Sequence, residues 1–344
     1  MNILTIGAGI AGLTAARRLQ ANGHTLTVLD KGRAPGGRMS TRRVLNGDAD
    51  RPELAELAFD HGAQYFTVRD PRFAGEVEGW HKARVAQLWH GKLAAFDSEG
   101  REPVDDGQAR WVGVPGMSAV ARHLARGLDV LCNARVTSLE RDAVSGAVAW
   151  HASLADQRAL GPFDAVVVAL PAPQALPLLA ASPSLAREVG AVRMHPCWAV
   201  MVAFDDRVAT PFDAAFVTSS PLGWLARDRS KPQRGLAETW VLQASADWSA
   251  AHVDDDADVV GPFLLNAFAD LVRARLPRPV HLAAHRWRYA CGHPPAHHGA
   301  LVDADLRLAA CGDWCAGNRV EGAFLSGMAA ADALLAQREV RSEK

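Results

Sequence analysis

The sequence predicts an α/β fold in which residues from both ends of the chain form a mostly parallel sheet and an α+β domain is inserted between them. The first observation is a strand, a glycine-rich turn and a helix within the opening thirty residues. The second is the return of strand-forming runs at Ala165–Leu170 and Leu306–Cys311, on either side of a less regular middle. Strand signals near both termini therefore predict a discontinuous first domain.

The opening unit is predicted to be a strand, a helix and a second strand. The apolar run Ile3–Ile6 ends at Gly7, where the chain turns. The next stretch places leucine and alanine opposite arginine and glutamine at helical spacing, and Gly23 can end that helix. Thr25–Leu29 is rich in β-branched residues and predicts the second strand, which ends at Asp30.

The later elements are predicted from their apolar runs. Asp129–Leu139 has the composition of one strand. Ala165–Leu170 is wholly apolar, is stopped by Pro171 and suits a parallel strand that is covered on both faces. Leu306–Cys311 predicts a further short strand, and the stretch Glu321–Gln337, rich in alanine and leucine, predicts a helix.

The middle of the chain, from about Leu176 to Gly299, has a different character. It contains five of the ten tryptophans, and the segments between them are rich in proline and aspartate. We interpret it as a domain inserted into the first one. The predicted bounds are 1–67, 110–172 and 300–344 for the first domain, and 68–109 with 173–299 for the second, substrate domain.

Length and charge limit the classes of function. At 344 residues the chain is long enough for two domains, and a composition of 49% hydrophobic and 22% charged residues is typical of a globular protein. A formal net charge of −1 gives no electrostatic reason to expect a nucleic acid or an anionic membrane as partner. The expected partner is therefore a small molecule.

Cysteine usage and hydropathy predict the compartment. Five cysteines, an odd number in mostly apolar contexts, argue against a secreted disulfide framework. No secretory leader is recognised, and no apolar run approaches the ~18 residues that span a bilayer. We therefore expect a soluble protein of the reducing cytoplasm.

The pattern Gly7-x-Gly9-x-x-Gly12 lies between a predicted strand and a predicted helix, the context in which it predicts a Rossmann-type domain. The first glycine permits a tight turn, the second lets the backbone approach a pyrophosphate, and the third allows close helix packing. Amide groups at the start of the helix then face the phosphates. Asp30 can accept hydrogen bonds from an adenosine ribose and would repel a 2′-phosphate. The alternative is a glycine turn in a domain that binds no dinucleotide.

This glycine pattern does not by itself distinguish FAD from NAD. The segment Asp30–Arg43 contains a glycine pair before Arg38 and resembles the flavoprotein amine-oxidase superfamily, whose Gly-Gly-Arg segment passes along the FAD. Within that superfamily the chain is most similar to the bacterial renalase-like proteins. The segments that carry the likeness follow in the family's order over nearly the whole chain, and they are Asp60–Phe66, Arg110–Ser118, Trp224–Pro232, His285–Ala290 and Cys311–Cys315.

The resemblance implies an FAD that is held noncovalently, since no His or Cys lies in a recognised flavin-linking motif. It implies that Asp313 bonds a ribityl or phosphate oxygen, and that Val136 contacts adenine through its backbone. The helix that begins near Glu321 would stabilise negative charge on the flavin through its dipole. A core valine and a simple packing helix are the alternatives. The residues expected to bind FAD are Gly7, Gly9, Ala11, Gly12, Asp30, Lys31, Gly37, Arg38, Gly62, Ala63, Gln64, Val136, Asp313 and Glu321.

The same resemblance places the substrate beside the flavin edge. Gln64, Tyr65 and Trp287 are the expected catalytic residues, and Tyr65, Trp287 and Tyr289 are the expected pocket walls. Aromatic walls hold a flat ring against the flavin and exclude water, although each of these aromatics could equally be core. None of the lysines is convincingly placed near flavin N5, and Gln243 stands where the family is expected to carry histidine.

The implied reaction is oxidation of 2- or 6-dihydro isomers of NAD(P). Hydride would pass to flavin N5 and then to O2, giving NAD(P)+ and H2O2. No second strand-linked glycine pattern is available to dock NAD(P)H in a domain of its own, so the substrate must lie against the flavin. The alternatives are an oxidase of amines or other small molecules, and a flavin-binding redox sensor without turnover.

No metal site is predicted. His293, His297 and His298 lie in one loop, but no cysteine or carboxylate stands at a spacing that would complete a metal site. We expect these histidines to be solvated.

Overall fold

The computed structural model of the chain describes residues 1–47, 51–97, 100–104, 106–142, 149–293 and 299–342. Two large sheets organise these residues, one parallel for most of its width and the other mostly antiparallel. Within the described ranges, no helix is long and apolar enough to cross a bilayer.

The strands follow in chain order. They are β1 (Asn2–Ile6), β2 (Thr25–Leu29), β3 (Arg42–Leu45), β4 (Glu56–Phe59), β5 (Ala86–Leu88), β6 (Leu93–Phe96), β7 (Arg101–Pro103), β8 (Trp111–Gly113), β9 (Asp129–Leu131), β10 (Val136–Asp142), β11 (Ala149–Leu154), β12 (Ala159–Phe163), β13 (Ala165–Val168), β14 (Arg193–Phe204), β15 (Ala214–Val217), β16 (Leu222–Arg227), β17 (Glu238–Ala244), β18 (Pro279–His293), β19 (Leu301–Asp303) and β20 (Leu308–Ala310).

The α-helices lie between these strands and after the last of them. They are α1 (Ile10–Ala21), α2 (Pro52–Ala55), α3 (Pro71–Lys82), α4 (Ser118–Leu124), α5 (Ala172–Ala175), α6 (Pro183–Gly190), α7 (Ala246–Ala251), α8 (Ala257–Val272) and α9 (Val320–Ser342).

The six-stranded sheet has the order β19-β20-β13-β1-β2-β9, and all its neighbours are parallel except the β19–β20 pair. Ile3 and Val167 face one hydrophobic core, shared with α1 and α9, whereas Leu4 and Val166 face another. Both faces of these strands are thus covered, which explains why their sequences are apolar without alternation. The predicted α/β fold, with its Rossmann-type first domain, is confirmed.

The second large sheet has the order β18-β14-β17-β16-β15-β6-β7, and its pairs are antiparallel except β15–β6. Helix α8 packs on it through Leu264 and Phe268, which share a core with Val200 and Trp240. After β2 the chain therefore contributes β6 and β7 to this sheet and returns to the first one for β9 and β13. It then adds β14 to β18 to the second sheet and ends in the first through β19 and β20. The domain bounds drawn from the sequence stay a prediction.

One predicted strand is wrong. The run from 129 to 139 forms β9, which pairs with β2, and β10, which pairs with β11 in a separate three-stranded sheet. The break falls at Asn133, whose φ of 54° cannot continue an extended strand. The N–H groups of Asn133 and Ala134 donate at 2.8 Å to the carbonyls of Gly32 and Asp30, so the chain turns over the end of β2.

Candidate functional site

A cavity of about 1780 Å³ opens between the two large sheets. The turns that follow β1, β2 and β13 supply one side, and β18 supplies the other. This is the carboxyl edge of the parallel strands, where open α/β sheets bind ligands. Pockets for drug-sized molecules have volumes of roughly 300–1,000 Å³. The cavity therefore has room for a dinucleotide and a second molecule beside it.

The glycine turn after β1 fits a dinucleotide. A Cβ on Gly7 would lie 2.5 Å from the carbonyl oxygen of Ala169, and one on Gly12 would lie 2.0 Å from that of Gly7. Gly9 differs, because the space of its missing Cβ is open for at least 4 Å and the residue lines the cavity. A phosphate can therefore approach the backbone at Gly9, whereas Gly7 and Gly12 are required by packing.

Asp30 lies at the end of β2 and lines the same part of the cavity. Its carboxylate accepts backbone N–H groups from Ala8 and Gly32, both at 2.6 Å. Each carboxylate oxygen has further acceptor capacity, so Asp30 can also accept ribose hydroxyls. Lys31 and Val136 line the cavity beside it. These contacts fix the orientation of Asp30 before any ligand binds.

Arg38 and Asp313, which both line the cavity, form a bidentate ion pair. The two guanidinium N–H groups lie 2.6 and 3.0 Å from the two carboxylate oxygens. Arg38 also donates to the carbonyl of Ala290 on β18, at 2.9 Å. Arg38 thus connects the turn after β2, the turn after β20 and the second sheet. Its remaining donors are available to a phosphate at Gly37.

The segment Asp60–Tyr65 follows β4 and forms the wall opposite β18. Its carbonyls are held by side chains: Gln64 donates to those of Asp60 and Gly62, and Trp287 donates to that of His61 at 2.8 Å. Gln243 donates to the carbonyl of Gly62 at 2.7 Å. Ala63, another predicted residue of the segment, donates its N–H to the carbonyl of Arg38 at 2.9 Å. The wall is therefore fixed from both sheets.

A buried ion cluster lies behind this wall. It consists of Asp60, Asp228, Lys231 and Arg234, whose side chains are at most 3% exposed. Burial alone would raise the pKa of Asp60, but the charges of Lys231 and Arg234 lower it to about 2. Sequence analysis missed this cluster. Lys231 stands in a segment that carries the family resemblance, and that was the available signal.

Aromatic side chains line the end of the cavity that sequence analysis predicts for the substrate. The ring of Tyr65 lies 5.4 Å from that of Trp224, which lies 4.7 Å from that of Phe216. Trp287 and Tyr289 line the cavity from β18, at alternate positions of one strand. The guanidinium of Arg110 lies 5.3 Å from the Tyr65 ring and is paired with Asp106 at 2.7 Å.

Two histidines complete this end of the wall. The ring of His61 lies 5.0 Å from those of His285 and Trp287. Burial, with the charges of His285 and Arg42, lowers the pKa of His61 to about 4. Burial and Arg42 lower the pKa of His285 as well. Both imidazoles are therefore neutral at pH 7.

Glu321 does not line the cavity. Its carboxylate accepts the backbone N–H groups of Arg69 and Asp70, both at 2.7 Å, so it holds the start of α3. The neighbouring Val320 and Ala323 face the cavity instead. Further along α9, a Cβ on Gly327 would lie 2.2 Å from the carbonyl of Ala11, so the helix packs directly on the glycine turn.

The structure brings together most of the predicted site. All predicted residues line the cavity except Gly12, which packs inside the turn, and Glu321. Among the other lining residues, those beside the predicted substrate walls that sequence analysis did not assign to the site include His61, Phe216, Trp224, Gln243 and His285.

The histidine loop is only partly covered by the structure. His293 ends β18, whereas His297 and His298 lie outside the described residues. Within the described part of the chain, no three His, Cys, Asp or Glu side chains are grouped so that they could hold a metal ion.

Comparison of the sequence with family profiles gives two matches. The profile of the flavin-containing amine oxidoreductases matches residues 101–335, and that of NAD(P)-binding Rossmann-like domains matches residues 5–75. Among curated proteins, lysine-specific histone demethylase 1 homolog 1 of Arabidopsis thaliana is 47% identical over 47 residues, and the 4,4'-diapophytoene desaturase of Staphylococcus haemolyticus is 52% identical over 40. These alignments cover 14% and 12% of this chain, and only 6% and 8% of the two relatives.

Comparison with solved structures covers the whole fold. A protein described as a protoporphyrinogen oxidase from Exiguobacterium superposes with a TM-score of 0.75 at 11% identity, over 100% of this chain and 99% of that one. Cyclohexylamine oxidase from Brevibacterium oxydans gives a TM-score of 0.73 at 15% identity, over 99% of each chain. At these identities the likeness is one of fold.

Proposed function

This chain belongs to the flavin-containing amine oxidoreductase family, and from that premise we propose that it is a renalase-like oxidase of the 2- or 6-dihydro isomers of NAD(P). Membership makes the protein an FAD-dependent oxidoreductase. The choice of substrate within that class is our proposal. It rests on the charge of the cavity.

We propose that FAD is bound noncovalently along the turns after β1 and β2. Gly9 leaves space for the diphosphate, and the Asp30 carboxylate would accept hydrogen bonds from the ribose. Arg38 has N–H groups that remain free to donate to a phosphate. Bound FAD would supply the hydride acceptor at N5 and return the electrons to O2 as H2O2. Acid precipitation tests the mode of attachment, because a noncovalent flavin stays in the supernatant and a covalent one colours the pellet.

The observation that carries the substrate proposal is the excess of positive charge in the cavity. Among the residues that the structure describes, twelve lysine and arginine side chains line it, against three aspartates. Asp106 and Asp313 are already paired with arginines, and Asp30 accepts two backbone N–H groups. Three of the arginines also pair with carboxylates that do not line the cavity, and these are Arg43, Arg286 and Arg288. The nine cations that remain still outnumber the three aspartates. The diphosphate of FAD offsets only part of this excess, and a second anionic molecule of the size of a dinucleotide would offset more of it.

The same charges disfavour a cationic amine. A small aliphatic amine carries a proton near pH 7, and like charges brought together at a binding site cost several kcal/mol. His61 and His285 in the wall are neutral, so they supply no charge that would offset this repulsion. An anionic substrate is instead attracted to the cavity from solution.

The chain's own part in the proposed reaction is orientation and exclusion of water. A dihydropyridine is already a hydride donor and becomes aromatic on oxidation, so no residue has to remove a proton first. Tyr65, Trp287 and Tyr289 would hold the flat ring, and the neutral His61 adds no competing charge. We assign the ring walls to a substrate domain of residues 68–109 and 173–299, together with Tyr65.

Oxidation of a small amine is the second candidate. The family profile favours it, and one protein of the same fold is a cyclohexylamine oxidase. An amine must be deprotonated before it can lose hydride, and His61 and His285 are neutral bases that the wall offers. The two candidate substrates thus differ in charge, and only the amine has to lose a proton before it is oxidised.

Product analysis tests the proposal. Purified holoprotein in air-saturated buffer is given each dihydro isomer, ordinary 4-dihydro NADH, or cyclohexylamine, and O2, H2O2 and NAD(P)+ are measured. The proposal expects the isomers, with one O2 and one proton each, to give equal amounts of NAD(P)+ and H2O2. Peroxide formed mainly from the amine would establish the second candidate, and no peroxide from the isomers would overturn the first.

A further inference from the structure

Lys231 is a completely buried cation that the proposed reaction does not use. Its Nζ atom lies 2.5 Å from Asp228 Oδ1, 3.2 Å from Gln64 Oε1 and 3.5 Å from Asp60 Oδ2. An ammonium group has three N–H donors, and these three acceptors account for them. Lys231 does not line the cavity, so it lies behind the wall rather than among the groups that can touch a ligand.

We propose that Lys231 is a positioning residue which, through Gln64, fixes the wall segment Gly62–Gln64 against which FAD binds. The inference rests on the proposed function only in placing FAD in this cavity. It holds whatever the substrate is.

The amide of Gln64 is the connection. Its nitrogen donates to the carbonyls of Asp60 and Gly62, so both amide N–H groups are used within the segment. Its oxygen accepts from Lys231. An amide can be turned by 180° at little cost unless a neighbour distinguishes its oxygen from its nitrogen. The two carbonyls favour the nitrogen on their side and the Lys231 cation favours the oxygen on its own side, so the three contacts together hold one orientation of the amide.

The segment transmits its position to the cofactor turns. Ala63 donates its N–H to the carbonyl of Arg38, and a Cβ on Gly62 would lie 2.0 Å from that same oxygen. The wall therefore packs directly on the turn whose arginine is paired with Asp313. A change in the orientation of Gln64 would move Gly62 and Ala63 relative to that turn.

The cost of the buried ion cluster also indicates a positioning role. Its two cations and two carboxylates balance, and Asp60 accepts further hydrogen bonds from Thr41 and from the N–H of Met117. Even a balanced buried cluster is seldom more stabilising than apolar residues of similar volume. Its geometry ties Asp60 and Gln64, which follow β4, to Asp228 and Lys231, which follow β16. Stability alone does not require that connection.

The test is a double-mutant cycle between Lys231→Met and Gln64→Met, read by the dissociation constant of FAD and by the visible spectrum of the bound flavin. Each single variant is expected to weaken FAD binding about tenfold, as for a lost hydrogen bond to a charged group, and to shift the spectrum. The double variant is expected to be no worse than either single one. Wild-type affinity and spectrum in Gln64→Met would overturn the proposal, as would fully additive effects.

Two further variants separate positioning from general damage. Lys231→Met with Asp228→Asn removes one charge of each sign, so the cluster stays balanced while Gln64 still loses its donor. This double variant is expected to match Lys231→Met in its affinity for FAD. If Lys231→Met alone does not fold, the double variant is measured in its place. Arg227→Met is the matched control, since Arg227 is a buried cation bonded to Glu238 and Asp213 and does not line the cavity. It is expected to lower stability and leave the affinity for FAD unchanged; an equal loss of affinity there would contradict a specific role for Lys231.

These readouts use FAD alone and no dihydropyridine. Failure of the isomers as substrates would therefore leave the inference about Lys231 intact, and failure of the cycle would leave the proposed reaction intact.

Discussion

The indole N–H of Trp287 donates to the carbonyl oxygen of His61 at 2.8 Å, and the two rings lie with their centroids 5.0 Å apart. Trp287 belongs to β18 in the second sheet, whereas His61 follows β4. This bond and the one from Gln243 to the carbonyl of Gly62 therefore join the wall segment to the second sheet at the proposed substrate end of the cavity. Trp287 is both a surface for a bound ring and one of the two side chains that make this link.

The first prediction is that Trp287→Ala slows reduction of the flavin by a dihydro isomer by about 100-fold, the cost of misplacing a reacting atom by about 1 Å. Trp287→Phe loses the N–H but keeps an aromatic surface, although a smaller one, so a smaller loss of rate is expected. Single-turnover rates measured without oxygen check this. Equal rates in the alanine variant and the unaltered protein would show that the ring does not align the substrate.

The second prediction concerns the adenosine end. Asp30→Ala is expected to weaken FAD binding by roughly 1–3 kcal/mol, the scale of hydrogen bonds to a charged acceptor. The fluorescence of released flavin measures the affinity. Asp305→Ala provides the control, because Asp305 is an exposed aspartate in the turn before β20. An unchanged affinity in the Asp30 variant would mean that this carboxylate does not hold the ribose.

The third prediction is a loss of stability in acid that depends on His61. The pKa of His61 is lowered to about 4 in the folded protein, by burial, His285 and Arg42, against about 6.5 in an unfolded chain. As the pH falls from 6.5 to 4, the unfolded chain takes up this proton first, so the free energy of unfolding falls by about 3 kcal/mol. Above pH 6.5 the group contributes nothing.

His61→Gln removes this titration, and its free energy of unfolding should therefore decline less between pH 6.5 and 4. Part of the slope should persist, because the pKa of His285 is lowered too. Denaturant unfolding at a series of pH values makes the comparison. Parallel curves for the variant and the unaltered protein would refute the predicted contribution.

The fourth prediction follows from the positive charge of the cavity. The second-order rate of flavin reduction by a dihydro dinucleotide should fall steeply as salt rises, because the attraction is screened over about 10 Å at 0.1 M. The matching dihydronicotinamide riboside, which carries no phosphate, should show almost no salt dependence. Equal salt dependence for the two donors would mean that the arginines do not recruit the substrate.

Much of the cofactor end was predictable from sequence because it depends on local rules. The tight turn at Gly7, the open space at Gly9 and the position of Asp30 all lie within one strand–helix–strand unit. Glycine spacing and apolar runs specify such a unit without knowledge of the rest of the chain. The parallel strand at Ala165–Val168 was equally predictable, because burial on both faces leaves a wholly apolar run.

What sequence analysis missed depends on contacts between distant segments. Lys231, which follows β16, contacts Gln64 and Asp60, which follow β4, and no local sequence pattern predicts that pairing. Glu321 was expected to bind FAD, but its carboxylate caps the backbone of Arg69 and Asp70, more than 240 positions earlier in the chain. The break at Asn133 depends on carbonyls of Gly32 and Asp30, which also come from another element.

The most direct test of the proposed function is the reductive half-reaction itself. Holoprotein is mixed without oxygen with a 2- or 6-dihydro isomer, with 4-dihydro NADH, or with a small amine, and flavin absorbance is followed by stopped flow. The isomers should bleach the flavin at least about 100-fold faster than 4-dihydro NADH, whose reactive carbon the cavity would misalign. Bleaching by the amine or by 4-dihydro NADH as fast as by the isomers would contradict the account.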